Sequence, residues 1–461
     1  MEFIRTTHNV GLEKVEKELD ARFSELPPYP YLRAFRQGIS TTSRWTGNEF
    51  KNMMKVYPAL IRDLLTDDAA RLVKLYMDIH RLSHYISHTD STIKMLKDAI
   101  LEFTELRNKS NGPLVSNDVV DQNWYSPKIH ILQHYPEWIS WKGPLPLSST
   151  DRGETWHKPL KQSFRSSNKG PQAMEFVLRD QDRQLAWKMW EKTLPPSERT
   201  PNIDDEWEED EEEHLMNRAS TPLCQEMEPS ISVSVSGGRR WEKVRELGVV
   251  QEDLELERLV ELTMTTIRHI QERGQFAVRV RRADVEERGA IFIKGHLGLM
   301  VKYPEVHDRK TMITEHILAT SSHAYGQDKA WTKPRFDTVL VRYDSQEGDD
   351  QMANRRVARI LLLFSIQDPE SAENRLSFAY VQLFRTVRPA DKASGMFKVV
   401  KDRFEVIPID TIERGVHLVP HFNGFGTKGA TSKSEPGLEV YKEFWINNYV
   451  DMHMYNTIYS E

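Results

Sequence analysis

The hydrophobic period of this chain changes once, near Gly274, and that change limits the folds available to it. Before Gly274, apolar residues recur every three or four positions, as Leu12, Val15 and Leu19 do, which is the spacing of an amphipathic helix. After it, they alternate in short runs such as FAVRVRR and DTVLVRY, which is typical of strands buried on one face. The chain is therefore expected to be an α+β protein, mainly helical first and β-rich afterwards.

Six helices are predicted before the change of period. They are residues 12–26, one starting at a Thr46-x-x-Glu49 capping box, one from Asp67 or Asp68 to about His88, one capped by Asp90, residues 170–194 and residues 247–272. The third carries His80, His84 and His88 four apart, a spacing that can chelate a metal. Because no second ligand cluster accompanies them, we interpret these histidines as hydrogen-bonded residues on a helix face.

An acidic stretch interrupts the helical pattern and divides the chain. Nine of the ten residues from Asp204 to Glu213 are acidic, and the Ser-rich PSISVSVSGG follows. Such a stretch buries too little apolar surface to offset its ordering entropy, so a disordered linker is predicted over 196–240. An acidic partner-binding tail is the less favoured alternative. The predicted domains are then 1–195 and 241–461.

The C-terminal domain is predicted to be a β-rich barrel or sandwich closed by a final helix or strand. Its strand candidates are FAVRVRR, AIFIKGHLGL, DTVLVRY, VARILLLFSI, LSFAYVQLFR, MFKVV and FEVIPI, with a long connection over 303–335. The aromatic residues Phe444, Trp445, Tyr449 and Tyr455 could line a ligand cage, but core packing is the better interpretation. The Gly-rich FNGFGTKG lacks the strand–loop–helix context of a phosphate-binding loop.

Composition excludes some classes of protein. The formal charge is −6, so there is no global polybasic signature, and the single cysteine, Cys224, cannot form a disulfide within the chain. No apolar run approaches the roughly 18 residues of a membrane span, and the N-terminus lacks a signal-peptide core. We therefore expect a soluble intracellular protein that does not bind membranes.

Residues 127–169 combine the side chains needed for chemistry on a phosphate polymer. His130 and His134 lie four apart, and Asp151, Glu154 and His157 follow. A basic ladder comes next, formed by Lys158, Lys161, Arg165 and Lys169. Carboxylates would bind a hard metal ion, and evenly spaced cations would follow a polyanion. A charged helix face with core histidines gives a similar string, so the pattern alone leaves both interpretations open.

The same stretch resembles the last catalytic segment of Plavaka transposases, fungal CACTA-like DNA transposons. The family's H-x-x-x-H, S-x-D-x-x-E-x-x-H and Arg-x-x-Asn features correspond to KIHILQHY, SSTDRGETWH and FRSSNK. Upstream, LRAFRQGISTTSRWTGNEFKNMMKV and YISHTDSTIKMLKDAILEF resemble the family's helical insert. Downstream, RFDTVLV, MFKVV, GVHLVPHF and EFWINNYVDMHMYNTI resemble its C-terminal domain of unknown function.

The resemblance implies roles for individual residues. Glu154 matches the third acid of an RNase H-like Asp-Asp-Glu triad, and His157 follows it in register. Lys158, Lys161, Arg165 and Lys169 would contact DNA. The N-terminal part would then be the helical insert plus a remnant of the RNase H-like domain. No metal is assigned to His130 and His134, because related zinc sites use cysteines absent here.

One departure from the family decides what the resemblance implies about activity. The family's first two Asp residues precede the helical insert, so they are expected to fall before Met1. Mg²⁺ is implied only for an intact family member, because two-metal phosphoryl transfer needs several carboxylates. We expect a transposase-derived protein, inactive alone, that retains DNA or chromatin binding in the nucleus or cytoplasm.

Two alternatives stay open. One is a truncated part of an active DDE transposase or nuclease that other transposase chains complete. The other is a decaying gene without a selected function.

Overall fold

The fold is described by a computed structural model. It describes residues 2–30, 32–40, 42, 45–108, 127–193, 231–239, 245–272, 292–305, 312–320, 335–343, 352–367, 375–427 and 437–459. The chain divides into two compact units. Unit 1 comprises residues 1–81, 95–133 and 227–461, and unit 2 comprises residues 82–94 and 134–226. The expected α+β class is confirmed, with an N-terminal helical part and a C-terminal curled antiparallel sheet.

Helices dominate the first 193 residues. They are α1 Glu2–His8, α2 Leu12–Ser24, α3 Gly47–Ile61, α4 Asp67–Ser83, α5 Asp90–Asn108, α6 Pro127–Leu132, α7 Tyr135–Lys142, α8 Asp151–Ser166 and α9 Ala173–Thr193. Among the later residues that the structure describes, three more helices follow, α10 Leu247–Asp253, α11 Leu259–Glu272 and α12 Met452–Tyr459. The predicted capping box is confirmed, since Thr46 Oγ1 accepts from the Glu49 amide and the Glu49 carboxylate accepts from the Thr46 amide.

The strands form one curled, half-barrel sheet in which every pairing between described strands is antiparallel. They are β1 Ser232–Arg239, β2 Arg245–Glu246, β3 Phe292–Pro304, β4 Met312–Thr320, β5 Arg335–Phe336, β6 Thr338–Arg342, β7 Arg355–Gln367, β8 Arg375–Val387, β9 Lys398–Pro408, β10 Ile412–Gly415, β11 Leu418–Pro420 and β12 Glu443–Ile446. The main order is β11-β12-β9-β8-β7-β3-β4-β5, with β1 and β2 on β3 and with β6 between β7 and β10.

The sheet is covered by apolar clusters on more than one side. Helices α10 and α11 pack Leu247, Val250 and Ile267 against Phe364 and Phe378 of β7 and β8. A second cluster joins α2 and α3 to the later part of unit 1. Its members include Val15, Leu19, Phe23, Val56, Leu60, Met396, Val419 and Trp445. The N-terminal helices therefore share a core with residues of the β-rich part.

Two helical predictions are corrected. Helix α4 ends at Ser83 instead of near His88, and a turn and bend follow before Asp90. The helix predicted over 247–272 is two helices, because Glu255 and Arg258 adopt left-handed backbone angles (φ 51° and 54°) that a helix cannot continue through.

Two strand predictions are also corrected. Most of the runs MFKVV and FEVIPI lies in one strand, β9, because the polar residues between them stay extended and the strand pairs with β8 on both sides of a register shift between Lys401 and Phe404. The connection over 303–335 contains β4. This strand was not predicted, because its buried Glu315 interrupts the alternation of apolar residues. The candidate FAVRVRR lies outside the described residues.

The predicted linker over 196–240 contains one ordered element among the described residues. Ser232–Arg239 forms β1 and pairs with β3, so the Ser-rich end of the predicted linker is a strand. The physical reason is its period of two, which places Val233 and Val235 against the core of the sheet. Residues 194–230, including the acidic run, lie outside the described residues. The division into 1–195, 196–240 and 241–461 stays a prediction.

Candidate functional site

Helix α8 is the element that carries the sequence-predicted site. It begins at Asp151, runs through Pro159 and ends at Ser166. Proline is best tolerated in the first turn of a helix, where a missing amide costs nothing, but Pro159 lies about two turns after the start of α8. The consequence is geometric: Glu154, His157, Lys158, Lys161 and Arg165 all belong to one continuous helix.

Ser163 is the only buried side chain among those that the structure describes in α8. Ser163 is 1% exposed; its hydroxyl donates to Asp180 of α9 (2.6 Å) and accepts from Gln181 (2.8 Å). At about 100° per residue, positions 157, 161 and 165 lie opposite Ser163. His157, Lys161 and Arg165 are accordingly exposed. We call these three residues, with Lys158, the basic face of α8.

Lys161 and Arg165 have no competing carboxylate among the residues that the structure describes. Neither Lys161 nor Arg165 forms an ion pair with a described residue. Lys169 departs from the ladder, because it lies three residues beyond the end of α8 in a left-handed conformation (φ 56°), where its side chain is exposed. The side chains of Glu154 and Lys158 lie outside the described residues, although both positions are helical.

A short connection and the buried residues around it hold α8 against α9. Six residues join the two helices, and Ser167, Ala173 and Val177 are buried where the hairpin closes. The Ser167 hydroxyl donates to the Phe164 carbonyl (2.7 Å), which satisfies one of the last carbonyls of α8. We call α8 and α9 the helical hairpin.

The predicted histidine pairs do not lie on continuous helices. His130 is in α6, whereas His134 precedes α7 and stacks on Trp138 with ring centroids 5.7 Å apart. In the same way, α4 ends at Ser83, so of the second set only His80 is helical. His88 is half-buried beside the Thr92 hydroxyl (3.3 Å), and burial lowers its pKa. The prediction of three histidines on one helix was wrong.

No cluster of three or more His, Cys, Asp or Glu side chains suited to a metal occurs among the described residues. The Mg²⁺ that the resemblance implies for an intact family member therefore has no ligand set among the described residues.

Sequence reasoning missed a buried polar network in unit 1. The Arg414 guanidinium donates to Asp451 (2.5 Å), and the Tyr29 hydroxyl bridges Asp451 (3.1 Å) and Glu315 (3.3 Å). Glu315 also accepts from the Gly415 amide (2.8 Å). A Cβ at Gly415 would lie 2.4 Å from that carboxylate, so a larger residue there would displace the Glu315 side chain from the network. Tyr29 lies 286 positions from Glu315 and 422 positions from Asp451, and no local motif signals these contacts.

The charge of Arg414 and the burial of the site shift the pKa values of the carboxyl groups in this network in opposite directions. Burial alone would raise the pKa of Asp451, but the positive charge of Arg414 holds it well below its usual range. At Glu315 burial dominates and raises the pKa, although Arg414 opposes the shift. The network thus contains one firmly ionised carboxylate and one that is costly to ionise.

A second network explains the Gly-rich loop. Gly424 and Gly426 have positive φ (92° and 119°), and their amides donate to Asp63 and Glu18 respectively. Arg22, completely buried, bonds both carboxylates (2.6 Å to Asp63 and 2.8 Å to Glu18). The loop therefore binds the protein's own carboxylates, in agreement with the prediction that it is not a phosphate loop.

The aromatic residues of the C-terminus are part of the core. Phe444, Trp445, Tyr449 and Tyr455 are each less than 10% exposed, which confirms core packing over a ligand cage. The Tyr449 hydroxyl donates to buried Asp78 (3.1 Å). No described helix is both long enough and apolar enough to cross a membrane.

Comparison with known proteins adds no relative. No family model, no curated protein and no solved structure matches this chain.

Proposed function

We propose that this chain is a transposase-derived protein that binds duplex DNA through the basic face of α8 and does not cleave or join DNA by itself. The observation that supports the proposal best is the exposure of His157, Lys161 and Arg165 on the side of α8 opposite Ser163. Cations four apart on a helix rise by about 6 Å per step, so they form a line along which a phosphate backbone can lie.

The absence of ion pairs at Lys161 and Arg165 among the described residues favours binding over a merely solvated helix face. An internal carboxylate would have to be displaced before a phosphate could bind, and no described residue places one at Lys161 or Arg165. Contacts of this kind set position and affinity but read no sequence. The proposed binding is therefore to duplex DNA in general, as expected for a protein that associates with chromatin.

The transposase origin rests on the motif resemblance around Glu154. In this proposal Glu154 is the third acid of a former Asp-Asp-Glu site, and α8 and α9 are the remnant of its RNase H-like domain. Catalysis by the family would need two more carboxylates to clamp its metal ions. The proposal assigns those two positions to no residue of this chain.

Binding is tested by fluorescence anisotropy with a labelled duplex of unrelated sequence at several salt concentrations. If Lys158, Lys161, Arg165 and Lys169 neutralise four phosphates, the log–log salt slope should be about −3 to −4. The variant with all four changed to Ala should lose most of its affinity at low salt. The matched control removes four exposed cations elsewhere, Lys94, Lys97, Arg179 and Arg183, and has the same net charge. Equal affinity of the α8 variant and the control would contradict the proposal.

Catalysis is tested separately, with supercoiled plasmid DNA and Mg²⁺ or Mn²⁺. We expect no nicking and no strand transfer by the pure chain. Metal-dependent cleavage that disappears in Glu154→Gln would contradict the second half of the proposal and favour the truncated-enzyme alternative. Because the binding assay omits divalent metal, the two halves of the proposal can fail independently.

A further inference from the structure

Helix α9 leaves a large part of its apolar surface uncovered. Its contact with α8 uses Ala173, Val177 and Asp180, which lie on one face. A second stripe lies about 120° around the helix from that face. It comprises Met174, Leu178, Leu185 and Met189, whose exposed fractions are between 60% and 66%. Four large apolar side chains exposed to this degree in one row are unusual on a monomeric protein and mark an interaction surface.

The spacing of this stripe is the same in both directions. The intervals are four, seven and four residues, so the stripe is symmetric about the midpoint between Gln181 and Asp182. A copy of α9 turned end for end therefore places every apolar residue of one helix against an apolar residue of the other. An interface that complements itself in this way is what a two-fold axis requires.

Helix α8 extends the same surface. Ser163 faces α9. Measured around the axis of α8 from Ser163, positions 160 and 164 lie at about 60° and 100°, on the same side. Leu160 and Phe164 are 37% and 43% exposed. The two helices of a hairpin run in opposite directions. A rotation in the sense of increasing residue number, started from the face where the two helices touch, therefore leads to the same side of the hairpin on both helices. The two α8 residues and the four α9 residues thus form one apolar side, which we call the apolar face of the hairpin.

We propose that the apolar face binds a second copy of this chain, with the two α9 helices antiparallel. Leu178 of one copy then packs on Leu185 of the other, and Met174 packs on Met189. The two hairpins then form a four-helix bundle. Each helix of such a bundle contacts two neighbours, and its two contact faces lie about 90° or more apart around the helix axis. The opposed helix dipoles of the antiparallel pair add a favourable contribution.

The exposed area is sufficient for such a pair. At about 200 Å² for a fully exposed large side chain, the six residues offer about 650 Å² per copy, or about 1,300 Å² in the pair, within the range of specific interfaces. A pair of this size and composition is expected to be stable at micromolar concentration.

The proposal is independent of DNA binding. Lys161 and Arg165 lie about 60° to 140° around α8 from Leu160 and Phe164, so a paired hairpin leaves both cations outside the contact, whereas His157 lies within about 60° of both apolar residues and borders the apolar face. Loss of self-association would leave the DNA-binding proposal standing, and the reverse also holds.

The first test is sedimentation equilibrium of the full-length chain over a range of concentrations. The wild type should be a dimer. Leu178→Glu combined with Leu185→Glu should raise the dissociation constant about 100-fold or more, because four like charges then meet at the interface. The corresponding Lys pair, L178K and L185K, should also be monomeric, and an equimolar mixture of the Glu and Lys variants should restore a dimer. A monomeric wild type would overturn the proposal.

Exposed aromatic residues on the other side of α9 provide the control. Trp187 and Trp190 are 56% and 50% exposed and contact each other, with ring centroids 4.9 Å apart. Trp187→Glu with Trp190→Glu places the same charge on the same helix away from the apolar face. This variant should remain a dimer. If it dissociates while the Leu variants do not, the assignment of the interface is wrong.

The second test is cross-linking, which disturbs folding little and fixes the orientation. All variants carry Cys224→Ser. Mild oxidation of a mixture of Leu178→Cys and Leu185→Cys chains should give a covalent heterodimer. Neither variant alone should cross-link, because residues 178 of two antiparallel copies lie about 10 Å apart along the axis, beyond disulfide reach. Cross-linking of Leu178→Cys with itself would show a parallel pair and overturn the arrangement.

Discussion

The helical hairpin and unit 1 use their arginines in opposite ways. In the hairpin, Arg165 and Arg179 are exposed, and the one described ion pair of Arg179 is a surface contact with Glu175 (2.7 Å). In unit 1, Arg22 and Arg414 are almost completely buried, and each is bonded to at least one carboxylate. An exposed charge contributes little to stability but can bind a ligand, whereas a buried pair becomes costly once one partner is removed. We therefore expect mutations of unit 1 to affect folding and those of the hairpin to affect binding.

The largest expected difference is between two arginine substitutions. Arg414→Met leaves Asp451 buried without its cation, which should lower the free energy of unfolding by about 3–5 kcal/mol. Arg179→Met removes an exposed i,i+4 pair and should change it by about 0.5 kcal/mol or less. Urea denaturation followed by circular dichroism measures both. Equal effects of the two substitutions on the free energy of unfolding would contradict the distinction between buried and exposed arginines.

A smaller difference in the free energy of unfolding is expected between two leucine substitutions. Leu363 is completely buried in β7, so Leu363→Ala removes packing and leaves a cavity at a cost of about 2–5 kcal/mol. Leu178 is 61% exposed, so Leu178→Ala should cost about 0.5 kcal/mol or less when measured at a concentration that keeps the chain monomeric. A loss above 2 kcal/mol at Leu178 would show that the hairpin surface is covered within the single chain.

The smallest expected effect is a pH dependence within the buried network. Because burial raises the pKa of Glu315, the folded state binds this proton more tightly than the unfolded chain does. The resulting stabilisation is complete below the unfolded pKa, near 4.5, and is lost as the pH rises through the folded pKa. Glu315→Gln keeps the shape and an acceptor for Gly415 but does not titrate.

The wild type should therefore gain stability relative to Glu315→Gln as the pH falls from 7 to 4.5. Thermal unfolding of both proteins across this range measures the difference. Asp451 acts in the other direction, because its lowered pKa makes its stabilisation present above its unfolded value, near 3.8, and lost in acid below it. A constant difference between wild type and Glu315→Gln would show that Glu315 is ionised as easily in the folded state as in the unfolded chain.

Local patterns in the sequence predicted most of the elements. The period of apolar residues located α2 and α9, and the polar side chains at Thr46, Asp67 and Asp90 marked helix starts. These signals work because caps and amphipathic faces depend on residues within one or two turns of each other. The strands β3, β6, β7 and β8 followed from alternation for the same reason.

The candidate site was predictable only in part. The spacing of His157, Lys161 and Arg165 was visible in the sequence, but the start of α8 was not, because Pro159 is also a helix-start signal. Lys169 was predicted to continue the basic ladder, but it lies three residues beyond α8, because the sequence does not show that this helix ends at Ser166.

The sequence by itself determined the order of elements and the change from helical to strand spacing, because both depend on neighbouring residues. Only the tertiary structure decided which polar residues are buried together. Arg22 lies 402 positions from the Gly424 carbonyl to which it donates (2.7 Å), and Tyr29 lies 422 positions from Asp451. The physical reason is that a buried charge is tolerated only where distant partners satisfy it, and nothing in the local sequence of either partner specifies the other.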